Sequence, residues 1–167
     1  PGHHYQVSLQ QENTSLPKFM RFGWFGAYGE GWAHYCETLG PEFGLYTDPY
    51  QKMGYLSDQM LRAVRLVVDT GLHTGTMNRE EAIKYFLSNI SYDEAAATAE
   101  VERYMALPGQ ALGYKIGALR IRELRDKYQK ELGAKFSLAK FHDEILNQGC
   151  LPLDVLDRKM ENWAKRQ

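Results

Sequence analysis

The chain has 167 residues, of which 44% are hydrophobic and 25% charged, with 20 Lys and Arg residues against 21 Asp and Glu residues. That length predicts a single domain with its own core, and an aromatic content of 13% is typical of a folded rather than a disordered chain. The formal net charge of −1 argues against nucleic-acid and anionic-membrane partners. No apolar run reaches the roughly 20 residues of a membrane span.

The chain begins Pro1-Gly2-His3-His4, with neither a Met nor a signal peptide, so we expect a piece of a longer protein. Helical patterns separated by Gly, Pro and Asn breaks then fill the sequence. The predicted helices cover about residues 3–12, 28–39 and 49–70, continue from Asn78 and from Ser91, and end with residues 108–132, 137–147 and a helix beginning at Pro152. The Gly- and aromatic-rich residues 21–27 are expected to be irregular.

The strongest helical pattern follows Asp48-Pro49. Pro49 suits the first helical position, and Gly71 is the predicted stop. Arg65 and Asp69 are four residues apart, which predicts an ion pair within this helix. Five apolar residues recur there at helical spacing: Met53, Leu56, Met60, Val64 and Val67.

Three further helix starts carry N-terminal signals. Asn78 is followed by Glu81, and Ser91 by Glu94, and both spacings are typical of capping boxes. Pro108 suits the beginning of the third helix. The alternating pattern of strands is nearly absent, and we find neither a repeat nor a linker. The predicted fold class is therefore all-α, with residues 1–167 in a single multi-helix domain.

Candidate metal ligands occur in two places. Glu30, His34 and Glu37 are spaced to share one helix face, and zinc takes carboxylate and imidazole ligands at catalytic sites. A solvent-exposed face tolerates the same residue types, so a structural interpretation stays open. His3 and His4 are adjacent, and neighbouring side chains on a helix diverge by about 100°. We therefore expect at most one of the two to bind a metal.

A third cluster surrounds a predicted break between two helices. Pro108-Gly109 is expected to bring Arg103 and Tyr104 near the start of the next helix, where Gln110 and Tyr114 share a face. A helix start offers free N–H groups to anions and carboxylates. The cluster is either such a binding site or an interhelix turn with ordinary surface charges.

Five collinear segments carry a family resemblance. They are residues 1–6 (PGHHYQ), 29–37 (GEGWAHYCE), 62–73 (RAVRLVVDTGLH), 102–117 (with ERY, PGQA and YKIG) and 141–153 (with FHD and GCLPL). Together they resemble the C-terminal part of the bacterial family catalogued as domain of unknown function 885. That family resembles the gluzincin metallopeptidases, which include angiotensin-converting enzyme and carboxypeptidase Taq. The resemblance implies the C-terminal portion of a larger helical metallopeptidase-like fold.

The resemblance also implies a zinc site. Family members usually carry a His-Glu dipeptide a few residues before Pro-Gly-His, and here it would lie before Pro1. In HExxH-type enzymes the first His is a ligand and the Glu is the general base. The ligands implied for this chain are His3 and Glu30, with His4 as an alternative and, from the helix spacing, His34 and Glu37 as further ones. Zinc is therefore expected in the parent protein, and weakly or not at all in this chain.

The activity implied is hydrolysis of a peptide or amide bond by metal-activated water. Tyr114 is the predicted oxyanion donor, with Tyr104 second, because a phenol is neutral at pH 7. Arg103 completes the catalytic candidates; Arg103 or Lys115 is expected to bind a substrate carboxylate, and Gln110 to contact substrate. The expected partners are a small peptide-like substrate and a second copy or a retained N-terminal fragment. The alternatives are a non-catalytic helical binding or scaffold module and a hydrolase of non-peptide amides or esters.

Overall fold

The structure, a computed structural model, describes residues 2–167, so Pro1 and the part of the resemblance that includes it lie outside the described residues. The described residues form helices and turns, without a β-strand. The helices are α1 (Gly2–Glu12), α2 (Lys18–Phe22), α3 (Gly26–Thr38), α4 (Pro49–Thr74), α5 (Arg79–Asn89), α6 (Glu94–Ala106), α7 (Leu112–Leu132), α8 (Leu138–Leu146) and α9 (Leu153–Ala164), with a 3-10 turn at Gly133–Lys135.

The chain packs as two compact units, of which the first comprises Pro1–Thr38 and Ile116–Gln167. In this unit α1 packs against α3 and α8, and α8 packs against α9. The buried Tyr28 donates through its hydroxyl to the carbonyl of Ile145 at 2.6 Å, which ties α3 to α8. The core of this first unit includes the buried side chains of Tyr28, Tyr35, Ile121, Phe141, Ile145, Leu156 and Met160.

The second unit comprises Leu39–Lys115 and is built from α4, α5 and α6, which pack against one another. Removal of apolar side chains from water is the main favourable contribution to such packing. The core draws on all three helices and on the turns that follow α5 and α6. Its buried residues are Leu61, Val64, Val68, Ala82, Phe86, Ile90, Ala97, Val101, Tyr104 and Ala111.

The all-α class predicted from the sequence is confirmed for the described residues. The capping box at α5 is also confirmed. Asn78 Oδ1 accepts from the backbone N–H of Glu81 at 2.9 Å, and Glu81 Oε2 accepts from the backbone N–H of Asn78 at 2.8 Å. Ser137 caps α8. The buried residues of α9 are Leu156, Met160 and Trp163.

The segment expected to be irregular is more helical than its composition indicates. The sequence pattern does not predict α2, and α3 begins at Gly26 instead of Tyr28. A long-range contact supports α2: the buried Gln10 donates through Nε2 to the carbonyls of Met20 at 2.7 Å and Gly23 at 2.8 Å. Helix propensity reflects only neighbouring residues, so it does not predict a helix that a distant side chain supports.

The end of α4 also differs from the prediction. The helix continues past Gly71 to Thr74, and Gly75, with a φ of 73°, is its C-cap. Gly71 instead provides space, since a Cβ there would lie 2.8 Å from the sulfur of Met77. The sequence contains two suitable glycines four residues apart, and packing decides which one ends the helix.

Two helix starts lie later than predicted. The N-cap of α6 is Asp93 instead of Ser91, and the Asp93 carboxylate accepts a backbone N–H of the first turn at 2.8 Å. The helix predicted from Pro108 begins at Leu112. The residues before it form a turn in which Gly109 has a φ of 77°, a conformation that glycine adopts without strain.

The apolar stripe predicted for α4 is largely exposed. Val64 is buried, but the exposed fractions of Met53, Leu56, Met60 and Val67 are 67%, 48%, 47% and 40%. The buried positions of α4 are Leu61, Val64, Arg65, Val68, Asp69 and Gly71. The buried face of this helix therefore includes two charged side chains, which take part in the polar cluster described next.

Candidate functional site

His3 and Glu30 approach each other from two helices. His3 lies in the first turn of α1 and Glu30 lies in α3, and His3 Nε2 is 3.0 Å from Glu30 Oε2. The His3 side chain is 44% exposed and the Glu30 side chain 16%. The two metal ligands that the resemblance implies are therefore neighbours, at a position that solvent reaches.

Two neighbours of this pair explain its geometry. A Cβ at Gly29 would lie 2.1 Å from the Trp24 indole, so the missing side chain lets Trp24 pack on α3 directly before Glu30. The ring centroids of Trp24 and His3 are 5.5 Å apart. His3 Nδ1 lies 3.4 Å from Oε1 of the buried Gln6, a contact that orients the imidazole and leaves Nε2 for Glu30.

The alternative ligands have other surroundings. The His34 side chain is only 1% exposed, and its Nδ1 lies 2.9 Å from Glu37 Oε2. His4 is exposed. The three residues predicted to share one face of α3 therefore have different partners: Glu30 contacts His3 of α1, whereas His34 and Glu37 contact each other.

Glu100 is the centre of a polar cluster within the Leu39–Lys115 unit. Its Oε2 accepts hydrogen bonds from Arg65 Nη2 at 2.8 Å and from Arg103 Nη2 at 2.9 Å. The hydroxyl of Tyr104 donates to the same oxygen at 2.5 Å and accepts from Arg65 Nε at 2.8 Å. Arg65 and Tyr104 are buried, so this network replaces the hydration that both lose on folding.

The network changes the acidity of two of its members. Burial raises the pKa of Glu100, but the hydrogen bonds from Arg103, Tyr104 and Arg65 outweigh it and lower that pKa to about 2. The pKa of Tyr104 is raised, first by burial and then by its hydrogen bond to Glu100. Glu100 is therefore ionised at neutral pH, and the hydroxyl proton of Tyr104 is held in the hydrogen bond to the Glu100 carboxylate.

Tyr114 is half-buried at the start of α7 and lies against positive charge. Its ring centroid is 4.7 Å from the guanidinium carbon of Arg62 and 5.3 Å from that of Arg65. The ammonium of the neighbouring Lys115 donates to Gln59 Oε1 at 3.0 Å, and burial lowers the pKa of Lys115. Cations thus flank the phenol that the sequence favours as an oxyanion donor.

Arg103 Nη1 donates to Gln110 Oε1 at 3.1 Å. Gln110 lies in the turn before α7, so it does not share a helix face with Tyr114 as the sequence predicts. Arg65 and Asp69 take partners other than the predicted intrahelical ion pair. Arg65 binds Glu100, and the buried Asp69 accepts from the backbone N–H of Gly109 at 3.0 and 3.2 Å. Asp69 therefore fixes the turn between α6 and α7.

Arg62 and Trp24 are absent from the sequence-based candidates. Glu100 belongs to the predicted third cluster, three residues before Arg103 and four before Tyr104, but the sequence assigns it no role. Arg62 likewise precedes Arg65 by three residues. Trp24 lies between α2 and α3 and contacts His3 of α1, and spacing along one helix does not predict that contact.

The sequence profile of the family described as "Bacterial protein of unknown function (DUF885)" matches residues 1–160. The chain belongs to the DUF885 family. The match includes both the His3–Glu30 pair and the cluster around Glu100. No curated protein matches this DUF885 chain.

Two solved structures resemble the DUF885 chain. The structure of a "putative lipoprotein" from Colwellia psychrerythraea is 46% identical to it, with a TM-score of 0.97 over 100% of the chain. The structure of a "putative lipoprotein of unknown function" from Shewanella oneidensis is 25% identical, with a TM-score of 0.88 over 96% of the chain. In both cases the chain spans 29% of the length of the protein it matches. Within residues 2–167, none of the helices combines the length and the apolarity that a membrane crossing needs.

Proposed function

We propose that the protein is a metallopeptidase-like zinc hydrolase, in which metal-activated water cleaves a peptide or amide bond. The observation that carries the proposal is the 3.0 Å approach of His3 Nε2 to Glu30 Oε2. An imidazole and a carboxylate from separate helices point at one solvent-accessible position, and zinc takes both ligand types at catalytic sites. The resemblance to gluzincin metallopeptidases favours the same assignment.

These donors fit zinc in chemical type, and a further ligand is needed to complete the set. Among the described residues, no group of three or more His, Cys, Asp and Glu side chains could hold a metal ion. Catalytic zinc usually has three protein ligands, so His3 and Glu30 would hold it together with a ligand from elsewhere in the protein. The resemblance assigns that ligand and the general base to a His-Glu dipeptide preceding Pro1. Bound zinc polarises a carbonyl and lowers the pKa of its water toward about 7.

Tyr114 is the proposed donor to the oxyanion. The positive charges of Arg62 and Arg65 next to its ring favour the negative charge that develops on a substrate oxygen in the transition state. The hydroxyl of Tyr104 already donates to Glu100 at 2.5 Å, which supports Tyr114 over Tyr104. In this proposal Arg103, held by Glu100, has a positioning role.

Zinc content of the full-length protein tests the proposal. We expect about one zinc per protein, because three ligands suffice for a catalytic site. Substitutions of His3→Ala and Glu30→Gln should each lower zinc affinity by about 10-fold or more, a loss known even for residues that only support a metal ligand. His4→Ala and Glu37→Gln are matched controls, since they change the same residue types nearby, and both should retain zinc.

Two outcomes would contradict the proposal. Loss of zinc in His4→Ala together with retention in His3→Ala would move the ligand to the adjacent residue. A correctly folded full-length protein that binds no zinc and cleaves no member of a fluorogenic peptide library would favour the non-catalytic helical scaffold instead.

A further inference from the structure

We propose that Arg62 is the primary receptor for a carboxylate group of the substrate. This inference deepens the proposed function, because it names the substrate class as peptides or amides that carry a free carboxylate. The environment of the Arg62 side chain is unusual. Arg62 Nε is buried and has no hydrogen-bond partner among the described residues, and the guanidinium carbon lies 4.7 Å from the centroid of the Tyr114 ring.

An aromatic ring attracts a cation but does not neutralise it. A partly buried guanidinium that lacks a carboxylate has lost hydration without full compensation. The residue as a whole is only half-buried, so solvent and small solutes still reach part of the side chain. Arg62 can therefore gain from an anion that comes from solution.

The other arginines of the cluster are already engaged. Arg65 and Arg103 both bind Glu100, and Arg103 also donates to Gln110. A substrate carboxylate would have to compete with Glu100 for either of them. Arg62 has no such competitor, which distinguishes it from Arg103, the arginine that the sequence favours.

Lys115 provides a second cation of the same kind. It follows Tyr114 in α7, it is half-buried, and the partner of its ammonium is the neutral amide oxygen of Gln59 at 3.0 Å. Among the described residues, the contacts of this cluster join four cations and two carboxylates. The cations are Arg62, Arg65, Arg103 and Lys115, and the carboxylates are Glu100 and Asp69. The excess positive charge favours an anionic ligand, and a guanidinium binds a planar carboxylate through two parallel hydrogen bonds.

A binding measurement on the full-length protein tests this inference without requiring hydrolysis. The probes are N-benzoylglycine, which has a free carboxylate, and its carboxamide, compared by isothermal titration calorimetry. We expect the acid to bind about 10-fold more tightly than the amide, as one charge-assisted interaction provides. In Arg62→Gln the ratio of the two affinities, acid to amide, should fall to about one. In Arg62→Lys it should fall several-fold but persist, because the charge remains and the two-point geometry is lost.

Arg79→Gln is the matched control, because Arg79 belongs to the same unit but forms an exposed ion pair with Glu102. It should leave the preference unchanged. Equal binding of acid and amide by the wild-type protein would overturn the inference, as would an unchanged preference in Arg62→Gln. If Arg62→Gln does not fold, Arg62→Lys decides, and an unchanged preference in that variant would overturn the inference. Absence of zinc and of hydrolysis with the preference intact would refute the proposed hydrolase and leave the carboxylate receptor standing.

Discussion

Gly31 on α3 and Gly117 on α7 pack backbone against backbone. A Cβ on Gly31 would lie 2.5 Å from the Cα of Gly117, and a Cβ on Gly117 would lie 1.7 Å from the carbonyl oxygen of Ala27. Both distances are far below van der Waals contact, so no side chain fits at this crossing. Because Gly31 directly follows Glu30, the crossing also fixes the part of α3 that carries the candidate ligand.

Gly117→Ala should therefore destabilise the protein by about 3 kcal/mol, the upper part of the usual range for overpacking, since the obstructing atom belongs to the backbone. Urea denaturation followed by circular dichroism measures the change. Gly54→Ala is the matched control, because Gly54 lies inside α4 with nothing within 4 Å of an added Cβ. It should stabilise the protein by about 1 kcal/mol through helix propensity. A loss below about 0.5 kcal/mol for Gly117→Ala would refute the close crossing.

Glu100→Gln should cost about 1–3 kcal/mol, because the amide cannot satisfy two guanidinium groups and a buried hydroxyl as a carboxylate does. The contribution of Glu100 to the stability of the wild-type protein depends on pH. The folded pKa of Glu100 is about 2 and its ordinary value is 4.5, so its stabilisation is complete above pH 4.5 and is lost as the pH falls toward 2.

Denaturation at pH 3 and pH 6 separates this effect from general acid sensitivity. The stability difference between the two pH values should be smaller in Glu100→Gln than in the wild type. Glu102→Gln is the control, since Glu102 lies on the same helix but its side chain is 54% exposed and pairs with Arg79 at the surface. It should keep the wild-type pH dependence. Equal pH dependence in Glu100→Gln and the wild type would exclude a low pKa at Glu100.

The sequence predicts those parts of the fold that local signals specify. The Asn78 capping box and the Ser137 cap occur where the residue types place them, because each needs only a few neighbouring residues. The errors arise where distant contacts decide. The side chain of Met77 packs against Gly71, and α4 continues past it to Thr74, with Gly75 as its C-cap. The side chain of Gln10 supports the unpredicted helix α2.

The candidate site likewise contains features that the sequence predicts and features that depend on distant contacts. The resemblance pairs His3 with Glu30 across 27 residues, and the two side chains are indeed in contact. Helical spacing predicts that Glu30, His34 and Glu37 share one face of α3, where His34 contacts Glu37 while Glu30 contacts His3. The environment of Arg62 depends on how α4 and the start of α7 pack in three dimensions, so its missing carboxylate partner is visible only in the structure.

The isolated 167-residue chain should bind zinc weakly or not at all, because two ligands do not support a stable tetrahedral site. Titration with a competing chromophoric chelator measures the affinity, and the full-length protein is the positive control. Tight, stoichiometric zinc in the isolated chain would show that the ligands are misassigned. His34 and Glu37, which form the second imidazole–carboxylate pair of α3, would then be the first residues to test.

The isolated chain should also self-associate through the exposed stripe of α4. Met53 and Met60 lie seven residues apart on one face of that helix, with exposed fractions of 67% and 47%. Exposed apolar surface of this kind favours burial against another copy. Light scattering should report a dimer for the wild-type chain and a monomer for Met53→Lys combined with Met60→Lys. Asp58→Lys is the control, because it adds the same positive charge on the opposite side of α4, and it should leave the dimer intact. A monodisperse wild-type monomer would contradict the prediction.

Tyr114→Phe in the full-length protein should lower catalysis on the order of a hundredfold while folding and zinc content stay intact, because removal of one oxyanion donor has about this effect. The ring and its contacts with Arg62 and Arg65 remain, so the change removes only the hydroxyl. Tyr104→Phe is the informative comparison. The Tyr104 hydroxyl bridges Arg65 and Glu100, so its loss should reduce stability first and activity less. Peptide hydrolysis and thermal melting, measured on both variants, separate the two effects. Unchanged activity in Tyr114→Phe with abolished activity in a folded Tyr104→Phe would place the donor on α6 and not on α7.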